Sequence, residues 1–349
     1  MKIINVASAR PNFMKVAPLL EEFKNHDDID AQLLHTGQHY DYEMSKIFFD
    51  ELGIPAPDHH LGVGSGSHAQ QTAKVMTAFE KVLEEEQPDW VVVVGDVNPT
   101  MACTIVANKM GINVAHVEAG LRSYDRSMPE EINRVLTDSI ADLLLTPSID
   151  GNMNLVKEGI PEEKIRFVGN IMIDTLYTMR ERSGESTILD DLGIERGGYV
   201  LVTLHRPSNV DQKETLGNFV EILETTAKNI PMVWPVHPRS RNRAEEFGLW
   251  DRMENIDNLH LLEPVGYLDN VNLMNNARMV LTDSGGIQEE TTALGVPCLT
   301  ARENTERPIT ITEGTNTMVG TDKEKILKHI SNHLQNGVAG SKDLPKPLY

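Results

Sequence analysis

Apolar and polar positions follow two rhythms that take turns along the chain. Solid apolar runs, Lys2–Ala7, Ala31–His35, Trp90–Val94, Val114–Val117, Leu143–Thr146 and Ile165–Val168, read as buried strands. Between them lie stretches with helical spacing: Met14 to Lys24, Asp41–Leu52, a long one ending before Pro88, Thr100 to Met110, one from Glu130, and Gly151–Glu158. The polar, glycine-containing segment from Arg180 to Gly198 interrupts the rhythm and reads as a linker. The cycle then restarts with strands at Tyr199–Leu204, Met232–Val236, Leu259–Leu262, Met279–Thr282 and Cys298–Thr300, and helices at Glu214–Lys228, Tyr267–Asn275 and Gly285–Leu294. Such alternation predicts mostly parallel sheets covered by helices. The expected fold class is therefore α/β, with two Rossmann-like doubly wound domains, 1–180 and 181–349, facing a cleft. In such sheets ligands bind beyond the carboxyl ends of the strands.

The length of 349 residues suits two domains of ordinary size. A net charge of −20 argues against nucleic acid or an anionic membrane face as a partner, since both require basic surface. Cys103 and Cys298 stand in different halves, outside any metal-ligand spacing, and are expected as buried thiols in a reducing compartment. The opening Met1-Lys2-Ile3-Ile4-Asn5-Val6 reads as a first strand rather than a signal peptide. No apolar run reaches membrane-spanning length. The expected location is the cytoplasm.

Ionisable residues gather at the predicted strand ends. The first half offers Arg10, Lys15, Gln38, His39, Asp96, Glu118, Glu130 and Glu131; the second offers His205, Arg206, His237 and the run Asp283-Ser284-Gly285-Gly286. That last run closes a strand and opens a helix with two glycines. Bare N–H groups there suit a phosphate, and Glu290, four residues beyond Gly286, suits the diol of a ribose. The alternative is an N-cap serine with packing glycines. Arg10 and Lys15 either neutralise a diphosphate or are surface cations. His205 either protonates or clamps a leaving phosphate or is a structural histidine, and His237 is read the same way. Asp96, Glu118 and Glu130 are expected around the non-phosphate end of the ligand, raising one another's pKa values so that one donates while another accepts. A metal is the rival use of three carboxylates, but no ligand spacing accompanies them.

The stretch His116-Val117-Glu118-Ala119-Gly120-Leu121-Arg122, with Gly95-Asp96, Pro129-Glu130-Glu131, Asn133-Arg134, His205-Arg206, Val236-His237-Pro238, Asp283–Glu290 and Thr305-Glu306-Arg307-Pro308, resembles the non-hydrolysing UDP-N-acetylglucosamine 2-epimerases over nearly the whole chain. The resemblance implies a glycosyltransferase-B architecture and a UDP-sugar substrate. It implies elimination of UDP across C1–C2 to a 2-acetamidoglucal, then re-addition with inversion at C2, without cofactor or metal. It implies Asp96, Glu118 and Glu130 as catalytic carboxylates and His205 as the acid near the diphosphate. Arg10, Lys15, Arg134, His237, Ser284, Gly285, Gly286, Glu290 and Arg307 become substrate-binding positions, and a homodimer the expected assembly. The stretch Thr36–Asp41 with Met44-Ser45 also resembles epimerases of UDP-2,3-diacetamido-glucuronate, and a glycosyltransferase of the same architecture is a further alternative. The chain departs from the family at Ser8-Ala9, Asn12, Tyr40, Pro207-Ser208-Asn209 and Asn270. It also stops at Pro345–Tyr349, where relatives continue with a helix crossing back to the first domain.

Overall fold

The computed structural model describes residues 1–8, 10–37, 49–64 and 66–335, without the side chains of residues 10 and 11. The chain divides into two compact units, Met1–Thr175 and a second beginning at Leu176. The division falls inside a helix, Ile171–Arg182, that the sequence reading missed; the linker expected from Arg180 begins as helix and contains another, Ile188–Leu192.

The first unit is a seven-stranded sheet built from β1 (Lys2–Ala7), β2 (Asp30–His35), β3 (His59–His60), β4 (Trp90–Val94), β5 (Asn113–Val117), β6 (Leu143–Thr146) and β7 (Ile165–Phe167). Its order is β3-β2-β1-β4-β5-β6-β7, and every pairing is parallel. The second unit contains β8 (Val200–Thr203), β9 (Met232–Pro235), β10 (Leu259–Leu262), β11 (Met279–Thr282), β12 (Cys298–Thr300) and β13 (Asn316–Met318), ordered β10-β9-β8-β11-β12-β13 and again all parallel. The expected fold class of two doubly wound parallel sheets is thus found. The order reverses between β1 and β4 in one sheet and between β8 and β11 in the other, and each reversal opens a crevice at the strand ends.

Both sheets are covered on their faces, so their strands read as solid apolar runs. Val91, Val93, Val114 and Leu144 pack with Val75, Phe79 and Leu83 of the His68–Glu86 helix in the first core. That helix begins with a capping box between Ser67 and Gln70. Val200, Val202, Trp234 and Leu281 centre the second core, with Phe219 and Leu223. Cys103 and Cys298 are buried and unpaired, as expected.

Register sets the chemistry at the strand ends. Val94 pairs with Val117, so Gly95-Asp96 and Glu118 leave neighbouring strands side by side. Thr203 pairs with Thr282, which does the same for His205 and Asp283. Within the loop after β5, Gly120 (φ +82°) packs so closely on Gly151 that an added methyl group would collide with that backbone. Two glycines thereby let the loop lie flat on the start of the Ile149–Lys157 helix.

Candidate active site

In the first unit Glu118 has φ +74°, a left-handed conformation costly for a residue with a side chain by about 1–3 kcal/mol. The neighbouring bonds hold it there. Glu118 and Ala119 both donate N–H to the Leu145 carbonyl, and Gly120 N–H reaches Asp138 Oδ2 at 3.0 Å. The Glu118 carboxylate is thereby turned onto the Lys15 ammonium, with which it forms a buried ion pair. Asp96 meets Arg134 at 2.6 Å, and Arg134 also bonds Glu131 at 2.7 Å.

Of the acids expected around the ligand, Asp96 and Glu118 each meet a cation. Lys15, expected either on a diphosphate or at the surface, is buried and pairs with Glu118, and Arg134 holds the Asp96 carboxylate. Glu130 is half-buried in the first turn of the Pro129–Ile140 helix. Its neighbour Glu131 closes the preceding loop by accepting from the N–H groups of Ser123 and Tyr124 and from the Ser123 hydroxyl, all at 2.9 Å. Burial alone would raise its pKa, but these bonds and the Arg134 charge outweigh it and hold the carboxyl below the ordinary range. The Arg10 side chain, Gln38, His39, Tyr40 and most of the helix expected over 41–52 lie outside the described residues.

In the second unit Asp283 is wholly buried beneath the loop after β8. It accepts from the N–H groups of His205 and Arg206 at 2.9 Å, from Asn209 Nδ2 at 2.9 Å, and from His205 Nδ1 at 3.0 Å. Burial would push this carboxyl up, but His205 and the N–H donors more than offset that, so it sits below the usual range. The contact assigns the Nδ1 proton of His205 to Asp283 and frees Nε2 for chemistry. Asn209 thus helps to orient Asp283. The His237 ring lies 5.4 Å from His205, and its Nδ1 accepts from Arg239 N–H at the start of the Pro238–Glu246 helix.

The Gly285–Leu294 helix has Ser284 at its N-cap without a side-chain capping bond. The serine-cap alternative is therefore not realised, and the first turn keeps the character of an anion site. Beside it stand Arg206, Arg302 and Arg307. Arg302 and Arg307 both pair with Glu306, Arg307 also meets Glu289 at 2.7 Å, and Arg206 is 3.8 Å from Glu306. Burial, then the Arg302 charge, lowers the pKa of Arg206, as crowded cations should. A methyl group at Gly285 would collide with Arg307 and Glu306, so this glycine makes room for the arginine cluster as well as for a ligand. Glu290 is buried, accepts the Tyr267 hydroxyl at 2.6 Å, and has its pKa raised to about 7, chiefly by burial.

Sequence reasoning missed Asp138, Arg302, Glu306 and Tyr267, and gave no role to His116, Arg206 or Asp283. His116, Arg206, Asp283 and Glu306 carried a signal as unassigned members of quoted motifs, whereas Asp138, Arg302 and Tyr267 stood outside them. Among the described residues, no group of three or more His, Cys, Asp or Glu side chains could hold a metal ion, and no helix is long and apolar enough to cross a membrane.

Parallel sheets whose switch points carry an uncapped glycine-opened helix on one hand and paired acids on the other define a nucleotide-binding α/β enzyme. A family model described as UDP-N-acetylglucosamine 2-epimerase matches residues 21–348. A Methanococcus maripaludis protein named as a UDP-N-acetylglucosamine 2-epimerase homolog is 48% identical over 334 residues, covering 95% of this chain and 92% of its own. A Pseudomonas aeruginosa UDP-2,3-diacetamido-2,3-dideoxy-D-glucuronate 2-epimerase is 39% identical over 332 residues, covering 94% and 91%. The crystal structure of Methanocaldococcus jannaschii UDP-GlcNAc 2-epimerase in complex with UDP-GlcNAc and UDP matches with a TM-score of 0.90 at 43% identity, covering 97% of this chain and 94% of that one. The chain belongs to the UDP-N-acetylglucosamine 2-epimerase family, a family of UDP-sugar isomerases.

Because the folded-state pKa of Glu290 lies above the ordinary 4.5, its proton is held more tightly in the folded chain. The associated stability is complete below the ordinary value and is lost as pH rises through about 7. Glu290→Gln, which stays neutral, should match the parent near about pH 4 and exceed it by up to about 3 kcal/mol near about pH 9. Urea midpoints at the two pH values check this; a variant no more stable than the parent at the higher pH contradicts it.

Proposed function

We propose that the protein interconverts UDP-N-acetylglucosamine and UDP-N-acetylmannosamine by inverting C2. The C2 hydrogen of such a sugar is not beside a carbonyl, so direct deprotonation is unfavourable. Elimination avoids the difficulty: a base takes the C2 proton while the C1–O bond breaks, giving 2-acetamidoglucal and UDP. Re-addition returns UDP to C1 and a proton to the opposite face of C2.

The N-terminal residues Asp96, Glu118 and Glu130 are assigned the proton transfers. The ion pairs from Lys15 and Arg134 orient the Glu118 and Asp96 carboxylates for those transfers. The C-terminal residues bind UDP: Ser284, Gly285 and Gly286 with Arg307 hold the diphosphate, Glu290 takes the ribose, His237 assists, and His205 donates to the departing diphosphate oxygen. Arg10 joins this set. The observation that carries the reading is the left-handed Glu118 turned onto Lys15, an outlier typical of working sites. A second reading keeps the chemistry with UDP-2,3-diacetamido-glucuronate, supported by the Pseudomonas aeruginosa relative.

We further propose a homodimer acting in the cytoplasm. Two helices of the first unit expose apolar rows, Ile132 with Leu136, and Ile149, Met153 and Val156 at helical spacing, which is surface suited to a partner. Two buried unpaired cysteines accord with a reducing compartment.

Purified protein given each sugar nucleotide should convert UDP-N-acetylglucosamine; turnover of the uronate alone would transfer the assignment to the second reading, and UDP release that requires an added acceptor would point to a glycosyltransferase. Glu118→Gln keeps an acceptor for Lys15 yet should lower kcat by about 100-fold or more, with UDP affinity within about threefold. Wild-type turnover in this variant contradicts the assignment. Sedimentation should give a dimer that Leu136→Asp with Met153→Asp disperses; a wild-type monomer rejects the assembly.

A further inference from the structure

We propose that His116 is a positioning residue: a buried imidazolium that fixes the Gly95 peptide and, through it, the acids Asp96 and Glu118. The proposal rests on the acid–base reading of those two carboxylates. No role for His116 follows from that reading itself.

His116 is fully buried. Its Nε2 is 2.8 Å from the Gly95 carbonyl oxygen, and its Nδ1 is 2.6 Å from Asp138 Oδ1. A peptide carbonyl only accepts, so Nε2 carries a proton. Asp138 Oδ2 already receives the Gly120 N–H at 3.0 Å and faces an Arg122 guanidinium nitrogen at 2.7 Å. The carboxylate is acting as an acceptor, so Nδ1 carries a proton as well. A neutral imidazole offers one N–H; this geometry requires two. The charges facing the ring close on themselves: His116 and Arg122 are balanced by Asp138 and by Glu158, which pairs with Arg122 at 2.7 Å. Such a closed set makes a buried charge tolerable.

What the second N–H holds is the working part of the unit. Gly95 is tied to β5 through both of its flanking peptides: its N–H reaches the Val117 carbonyl at 3.1 Å, and its carbonyl oxygen, in the peptide shared with Asp96, meets His116. Gly95 has φ +68°, and a methyl group there would lie 3.3 Å from Lys15 Nζ and 3.4 Å from Glu118 Oε2. It is therefore the floor against which the Lys15–Glu118 pair rests, and Asp96 is the next residue. Removing the Nε2–H donor leaves the Gly95 carbonyl unpaired in the interior and frees that peptide to turn, moving both acids. A histidine that served only the core would matter for folding and leave turnover in the folded protein untouched.

The test uses the full chain with UDP-N-acetylglucosamine and, in parallel, the uronate. His116→Gln and His116→Phe are compared with the parent for kcat, KM, UDP affinity by calorimetry and thermal midpoint. Misplacing the acids should lower kcat by about 100-fold while KM and UDP affinity stay within about threefold. A folded variant with a lowered midpoint and parental kcat overturns the proposal. Imidazole ¹⁵N NMR on the unaltered protein gives an answer even if both variants fail to fold. Two ring N–H signals for His116 at neutral pH are expected; a ring with one bare nitrogen overturns the proposal. Glu118→Gln, measured alongside, separates the two layers. If it turns over normally, the acid–base reading fails. If it is inactive while His116→Gln is active, only the positioning role fails.

Discussion

The first unit depends on one buried carboxylate. Asp138, wholly enclosed on the Pro129–Ile140 helix, gathers His116 from β5, the Gly120 N–H and the Arg122 guanidinium. Burial would push this group up, but the His116 and Arg122 charges and bonds outweigh that and hold it below the ordinary range. Those three partners lie along seven consecutive residues, so a single side chain sets the path of the loop carrying Glu118. The same helix places Glu130 and Glu131 at one end and Arg134 one turn further on, so the loop and these residues are anchored to one element. Losing Asp138 would leave His116 without its carboxylate partner and Arg122 with Glu158 alone, which couples the hub to the site.

The second unit solves a similar problem with the same topology and different charges. A buried aspartate, Asp283, again organises a loop leaving the neighbouring strand, here carrying His205. Where the first unit pairs its acids with single cations, the second gathers three arginines around Glu306 beside an uncapped helix start. In the proposed function, one switch point serves proton transfer and the other holds an anion. Topology alone would have made them equivalent; the side chains at the strand ends separate their tasks.

Much of this was legible in the sequence because parallel strands buried on both faces leave an unmixed apolar signature. The strands Met279–Thr282 and Cys298–Thr300 and the helices Tyr267–Asn275 and Gly285–Leu294 fall where the pattern placed them. The losses have physical causes. β3 is only His59–His60, too short and polar to register, and the Ile171–Arg182 helix was hidden by neighbouring polar residues read as linker. The helix after β1 starts at Arg10, earlier than the Met14 read from the apolar pattern, because Pro11 suits a first turn. At the site, the strand-end residues were visible, but their partners were not. Nothing in a one-dimensional pattern says that Asp138 returns to His116 across 22 positions, or that Asp283 lies beneath His205 at a separation of 78. Long-range pairing is what turned a list of acids into two ion-paired carboxylates.

The central claim is that residues of the first unit move a proton at C2 of the sugar while residues of the second hold the nucleotide. It is tested most directly by incubating the protein with UDP-N-acetylglucosamine in deuterated water and following C2 by NMR. The account predicts UDP-N-acetylmannosamine carrying solvent deuterium at C2, with deuterium entering the recovered substrate as equilibrium is approached. Epimerisation with the original hydrogen retained at C2 would contradict it.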